Sequence, residues 1–405
     1  MEKTFVILGG NQLHKGFESK KKDYEIEKNI VIDWNEEPAY KGDYHIQCDI
    51  KDVERIYHSG IDWTDVLCVY TSADVAVATQ IELHKRMGLL TPTRESVQNA
   101  TFKGNSTACW KEAGILNKQS NVISNYKEFE VGVAKKYIFK PNCSSGSRNI
   151  TILDKEQLST SKIKAACELA ACVSVDKKVI VEEFCQGTEY TIEMLGDNWG
   201  NVSVYGISKK YHTQYNTSNK IAVKLHYIPA DVPDKVLEEL ALFGRKCYKA
   251  LGLKNSFGHL EVIYCDDGRI VPVEMGARSS GYIASHLVDA VSNDIFIRRY
   301  ADVLRGGKVA DDIVYDTTKS AMYFFYNIKP GRGVVTTNLG EFLPPEICSL
   351  ANERSRLKKG EVFEKLNADH ERCGLEILCG TRDDMKIEHI VDAEAKFEAV
   401  FLGEK

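Results

Sequence analysis

The sequence predicts an α/β fold joined to an α+β fold, and three observations carry that expectation. Up to about residue 95, short apolar strands alternate with helical patterns. Between Tyr137 and Leu195 the strands follow one another in antiparallel style, separated by turns containing Gly and Ser. After Arg305-Gly306-Gly307 the pattern returns to short strands, with PGRG at 330–333 as a turn. This order divides the 405 residues into segments 1–98, 99–305 and 306–405. The length suits two or three domains.

Within the first segment, TFVIL reads as a strand that closes on Gly9-Gly10, NIVIDW as a second strand and DVLCVYTS as a third. DVAVATQIELHKRMG follows with apolar residues at helical spacing and a glycine stop. The result is a small, Rossmann-like unit with a parallel sheet. Asp33 ends the second strand, as a ribose-binding acid would, but GGNQLH is not GxGxxG, so the dinucleotide fingerprint fails. The middle segment is read as a helix from about Lys103 to Ala113 ending at Gly114, an amphipathic helix at 233–252, strands at 258–265 and 270–274, and a helix at about 281–305. There is no internal repeat and no low-complexity stretch.

Composition excludes several classes of function. Hydrophobic residues make up 43% of the chain and the net charge is −5, with no basic block longer than Lys20–Lys22. Nucleic acid is therefore not the expected partner. The N-terminal apolar run TFVIL is too short for a signal peptide or a membrane span, so no membrane role is expected. Twelve cysteines lack any CxxC pair, and the closest pairs are Cys167/Cys172 and Cys373/Cys379. They read as reduced cysteines of a cytoplasmic protein rather than zinc ligands or a disulfide framework.

The stretch HLEVIYCDDGRIVPVEMGAR carries geometry. Asp267-Gly268 is a strong signal for a two-residue hairpin turn. That turn pairs Asp266 with Arg269, and counting outward sets Glu261 opposite Glu274. Their Cβ atoms would stand about 4.5–5.5 Å apart on one face. Facing carboxylates repel unless a cation or a proton lies between them. A divalent metal such as Mg²⁺, which takes one or two carboxylates and shares its shell with phosphates and water, suits the pair; the alternative is two solvated glutamates fanning apart. Arg278, four residues on, can hold a carboxylate or stabilise charge.

Two other stretches bear on anion binding. In KPNCSSGSRNITIL, Lys140 precedes a small polar loop and a strand follows it, the reverse of a P-loop, in which the lysine opens a helix. A hairpin tip with Ser144, Ser145, Gly146 and Ser147 can still offer backbone N–H and hydroxyl groups to phosphates. VIVEEFCQGTEYTIEML reads as a strand ending in Glu182-Glu183, a turn at Gln186-Gly187 and a second strand from near Glu189. Taken alone, each stretch reads as an ordinary solvated loop or strand end.

In this order, over roughly residues 60–300, the stretches resemble the ATP-grasp superfamily of carboxylate–amine ligases, of the D-alanine–D-alanine ligase and carnosine synthase kind, with the domain order of biotin carboxylase. The resemblance implies a Rossmann-like pre-ATP-grasp domain at 1–98, an ATP-grasp domain of two antiparallel sheets at 99–305 with a flap at about 120–185, and a small mixed domain at 306–405. It implies that Lys103, Lys140 and the Ser144, Ser145, Gly146 and Ser147 flap hold the ATP phosphates. Glu182 and the Glu183, Phe184 and Cys185 backbone would meet adenine, and Glu189 the ribose. Glu261 and Glu274 would hold Mg²⁺ or Mn²⁺. Arg278 would stabilise the oxyanion formed when an amine attacks an acyl phosphate. The expected partners are a small-molecule carboxylate and amine, with a homodimer as the candidate assembly.

Two departures stand out. The family pattern Glu-x-Asn-x-Arg has Gly276 in the Asn position, where a second metal would gain a ligand. Ser279-Ser280-Gly281-Tyr282 replaces the Gln-Val-Glu-His run of biotin carboxylases, which argues for an organic acid over bicarbonate. Rival readings are a carboxylating or purine-pathway member of the superfamily, an ATP-binding module without ligase activity, and a Rossmann oxidoreductase. Lys209 or Lys210 could meet a phosphate or an acidic substrate, and the sequence does not choose between them.

Overall fold

The computed structural model describes residues 3–144, 146, 148–212, 223–280, 287–292, 296–309, 312, 316, 318–326, 331, 333–335, 343–353, 357–362, 374–389, 392–393 and 395–396. The chain opens with β1 (Thr4–Leu8), α1 (Gly16–Lys20), β2 (Lys28–Asp33), β3 (Tyr44–Gln47), α2 (Val53–Tyr57), β4 (Val66–Thr71) and α3 (Val77–Arg86). Its four strands form a parallel sheet in the order β3-β2-β1-β4. All residues of β1 and β4 are buried, which is why both read as unbroken apolar runs. β3, with the sequence YHIQ, lies half-exposed at the edge and has no such run, so the sequence gives no sign of it. Asp33 Oδ2 accepts from Gly10 N at 2.6 Å and Asp33 Oδ1 from Asn35 N at 2.8 Å. The carboxylate thus ties down the loop after β1.

Next come α4 (Arg94–Thr101), capped by Thr93, and α5 (Lys103–Glu112), which ends at Gly114 with φ +68°. β5 (Ser120–Ile123), β6 (Lys136–Pro141), β7 (Thr151–Asp154), α6 (Thr160–Val173) and β8 (Val179–Glu183) follow. Their strands form an antiparallel sheet in the order β5-β8-β6-β7. β6 and β7 are the hairpin that carries the Ser/Gly tip. α6 was not expected. Its buried residues are Ala166, Cys167 and Ala170, too small to draw a clear apolar stripe in the sequence.

The third sheet combines β9 (Gly187–Gly196), β10 (Val202–His212), β11 (Val223–Ile228), β12 (Ser256–Cys265), β13 (Ile270–Gly276), β14 (Lys319–Phe325), β15 (Cys348–Glu353) and β16 (Leu375–Thr381). It is antiparallel, in the order β13-β12-β9-β10-β11-β14-β16-β15. Strands from beyond residue 305 therefore continue the central sheet. β8 and β9 do not pair, which corrects the expectation of a strand pair across Gln186-Gly187. The chain leaves one sheet and enters the other there.

Helices of this part include α7 (Asp234–Ala250), α8 (Val288–Val291) and α9 (Phe296–Leu304). The helix expected at 281–305 is interrupted: Ser292 takes an extended conformation after α8, and residues 281–286 and 293–295 lie outside the described residues. Of the turn expected at 330–333, only 331 and 333 are described. One core joins the parallel sheet to the large one: Phe5, Cys68 and Tyr70 share it with Phe257, Phe296, Tyr300, Tyr323 and Ile377. α7 covers the same large sheet through a second core, which contains Tyr248, Ile192, Met194 and Leu260.

Candidate active site

A cleft of about 240 Å³ opens between the β5-β8-β6-β7 sheet and the β13-β12-β9-β10 end of the large sheet. From β6 and its hairpin come Lys140, Ser144 and Gly146; from the end of β8 come Glu182 and Glu183; from the chain between β8 and β9 come Phe184 and Cys185; from α5 comes Lys103. Glu189, Glu261 and Glu274 line it from β9, β12 and β13. Eleven residues singled out in separate stretches thus share one cleft. Ser145 and Ser147, from the same hairpin tip, lie outside the described residues.

Glu261 stands opposite Glu274, as the count from the turn predicts, but by another route. Cys265 N donates to Arg269 O at 2.8 Å and Gly268 N to Cys265 O at 2.9 Å, with Gly268 at φ +84°. The loop is therefore three residues, Asp266 to Gly268, and not the two-residue turn expected. That slips the register by one, pairing Ile263 with Val271 and Val262 with Pro272. A bulge between Glu261 and Val262, with Val273 as the extra residue on β13, slips it back. The bulge and Pro272 are tolerated because β13 is the sheet's edge strand.

Lysines neutralise the carboxylates. Lys103 Nζ lies 2.7 Å from Glu274 Oε2 and donates to Ser144 O at 3.2 Å. Lys210 Nζ lies 2.6 Å from Glu261 Oε1 and 2.5 Å from Glu189 Oε1. The structure thus separates the two candidates on β10: Lys210 is buried in the cleft, while Lys209 sits over the Tyr211 ring. Burial works against charge on Glu261, but Lys210 and His259 outweigh it and hold the carboxyl well below its usual range. Burial likewise lowers Lys103 and Lys210, and their glutamates more than restore the charge. At the other end, Glu182 is 2% exposed and meets two ammonium groups, Lys118 at 2.7 Å and Lys140. Burial pushes this carboxyl up, and the two lysines bring it down to about 2.

Behind the metal-type hairpin, His259 Nδ1 lies 2.6 Å from Glu193 Oε1, and Glu193 Oε2 accepts from Ser280 N at 3.3 Å. Burial lowers His259, and Glu193 and Glu261 raise it to about 9. Arg278 does not line the cleft. It grips Asp74, just past β4, with Nε–Oδ1 at 2.7 Å and Nη2–Oδ2 at 2.8 Å. A Cβ on Gly276 would lie 3.4 Å from Arg278 Cγ and 3.6 Å from its Cζ. The arginine side chain therefore occupies the space beside the missing asparagine. Sequence reasoning did not single out Asp74, Lys118, Glu193 or His259. Of these, His259 carried a readable signal: it lies two residues before Glu261 on an alternating strand, hence on the same face.

Residues 133–286 match the ATP-grasp domain. Over these residues the chain is similar to the ATP-grasp domain. The match spans the Ser/Gly hairpin, both strands that flank the crossover between sheets, and the Glu261/Glu274 hairpin. Alanine–anticapsin ligase of Bacillus amyloliquefaciens is 22% identical over 272 residues, covering 62% of this chain and 56% of that protein. The chain thus spans about half the length of the curated relatives it matches. Among solved structures, an L-amino acid ligase from Bacillus licheniformis superposes with a TM-score of 0.72 at 14% identity, over 99% of this chain and 98% of that one. An ADP complex of N5-carboxyaminoimidazole ribonucleotide synthetase gives 0.71 at 14% identity, over 97% and 96%. These likenesses establish the ATP-grasp fold, with mixed α/β content and antiparallel sheets. Among the described residues, no helix is long and apolar enough to cross a membrane, and every described cysteine is free.

Proposed function

We propose that this chain is an ATP-dependent carboxylate–amine ligase that forms an amide through an acyl phosphate and releases ADP and phosphate. The observation that carries the reading is the facing pair Glu261 and Glu274, each capped by a buried lysine, in a cleft lined by apolar residues and further lysines. The named activities of the amino-acid ligases reported above support it. The division of labour follows the segments 1–98, 99–305 and 306–405, with the flap at about 120–185.

The cleft fits the groups the reading requires. Ser144 Oγ is buried without a hydrogen-bond partner, as suits a hydroxyl placed for an anion. Two hard carboxylates without soft donors suit Mg²⁺ or Mn²⁺. Bound there, the metal would neutralise charge on the transferring phosphoryl group. Lys103, Lys140 and Lys210 would bind phosphate oxygens. The hairpin tip, with Ser144, Ser145, Gly146 and Ser147, would cover them and keep water from the acyl phosphate. Glu182 and the Glu183–Cys185 backbone would hold adenine, and Glu189 the ribose. Catalysis is then positioning and electrostatics: the substrate carboxylate attacks the γ-phosphorus in line, and an amine displaces phosphate from the acyl carbon. Arg278, held by Asp74, would meet the oxyanion of that second step.

The test is incubation with Mg-ATP and amino acids and small carboxylates, singly and in pairs, with separation of the nucleotides. ADP that appears only with one acid and one amine, together with a new amide mass, is the expected result. AMP and pyrophosphate would overturn the acyl-phosphate route.

A further inference from the structure

Lys118 is a buried cation that the proposed reaction does not use. Its side chain is 4% exposed and lines the cleft. It arrives on a fixed segment: Asn117 O accepts from Arg269 Nη1 at 2.8 Å, Glu183 N donates to Gln119 O at 2.9 Å, and Gln119 N donates to Glu183 Oε2 at 3.4 Å. The ammonium is thus held beside Glu182, 2.7 Å from Oε1, while Lys140 meets the other oxygen. One carboxylate facing two ammonium groups leaves a net positive charge in a buried place. Burial and Lys140 both act against the charge on Lys118. A desolvated donor in excess is costly unless a ligand acceptor completes it. The walls of the cleft include Ile138, Ile150, Ile263 and Val273, which come from both of its sides and can enclose a flat ring.

We propose that Lys118 is a nucleobase-reading residue: its ammonium donates to the endocyclic nitrogen beside adenine's exocyclic amine, N1 or N7, while Glu182 accepts from that amine. The inference rests on the reading that ATP occupies this cleft. It sets base choice as well as affinity. Guanine carries a carbonyl oxygen where adenine carries the amine, and that oxygen would face the Glu182 carboxylate with no proton between them.

Calorimetric titration of ADP, 1-deaza-ADP and 7-deaza-ADP into the wild type and Lys118→Met tests it without turnover. In the wild type, one deaza analogue should bind on the order of 10-fold more weakly than ADP, the loss of one charge-assisted hydrogen bond. Lys118→Met should bind ADP about as weakly, and that analogue no more weakly still, because the partner atoms are already uncoupled. Equal binding of ADP and both analogues by the wild type overturns the inference and needs no variant. So does a deaza penalty that persists in Lys118→Met, which would leave Lys118 as a structural partner of Glu182. ADP that fails to bind the wild type at all would overturn the nucleotide reading itself.

Discussion

At the scale of single residues, the cleft pairs its carboxylates with nearby lysines, and two of these carboxylates give direct tests. Glu274 faces Glu261 and pairs with Lys103. Glu274→Gln keeps the shape and removes the charge, so turnover should fall on the order of 100-fold or more. The metal concentration needed for half-maximal rate should rise, with the melting temperature little changed. Full activity in that variant would sink the metal assignment. Glu182 gives a pH signature. Its folded pKa, about 2, lies below its ordinary 4.5, so the stabilisation is complete above about pH 4.5 and is lost as pH falls towards 2. The size is at most about 3 kcal/mol. Lys118 works the other way, because burial and Lys140 lower its pKa. Urea unfolding from pH 6 to 2.5 should show the gap between the wild type and Glu182→Gln closing below about pH 4.5. A gap of constant size would mean that the lysines do not hold this carboxylate.

At the scale of elements, close approach of backbones decides the geometry. Gly187 begins β9 where the chain crosses from one sheet to the other, and an added Cβ would lie 2.2 Å from Tyr264 O and 2.6 Å from Cys265 Cα. Gly187→Ala must therefore push β9 off β12, at a cost of about 1–3 kcal/mol. It should also weaken ADP binding through the adjacent Glu183–Cys185 strip. Denaturant unfolding and calorimetry would check both, and an unchanged midpoint would refute the close approach. Much of this architecture was legible. Parallel strands buried on both faces read as apolar runs, α5 announced its stop at Gly114, and the glutamate pairing came from counting. What was not legible has physical causes. α6 buries Ala and Cys, so no stripe shows; β3 is an exposed edge; and the three-residue loop and the bulge in the β12–β13 hairpin each shift the register by one. Lys118 sits in a loop and Asp74 in a single short helical turn after β4, where no periodicity marks a side chain as buried and only the fold brings them to a carboxylate or a guanidinium.

At the scale of the whole molecule, the large sheet crosses the boundary that the sequence suggests near residue 305. β14 pairs with β11 over Leu225–Ile228, and β16 and β15 follow. Ala321 and Tyr323 of β14, and Ile377 of β16, lie in the same core as Phe257, Tyr300 and Tyr70. Tyr70 in turn shares a hydrogen bond of 2.6 Å with Ser279, next to Arg278 and its Asp74 clamp. The parallel sheet, the cleft's β12–β13 hairpin and the strands beyond 305 therefore lean on one another through a single apolar cluster. A chain ending at Arg305 would lose three strands, leave β11 as an unpaired edge and bare the Tyr300 side of the core. Unpaired apolar edges favour aggregation. The expected outcome is that residues 1–305 are insoluble or quickly degraded by limited proteolysis, although every proposed nucleotide and metal ligand is present. Soluble 1–305 that binds ADP with wild-type affinity would show instead that the β11–β14 pairing joins two independently stable units.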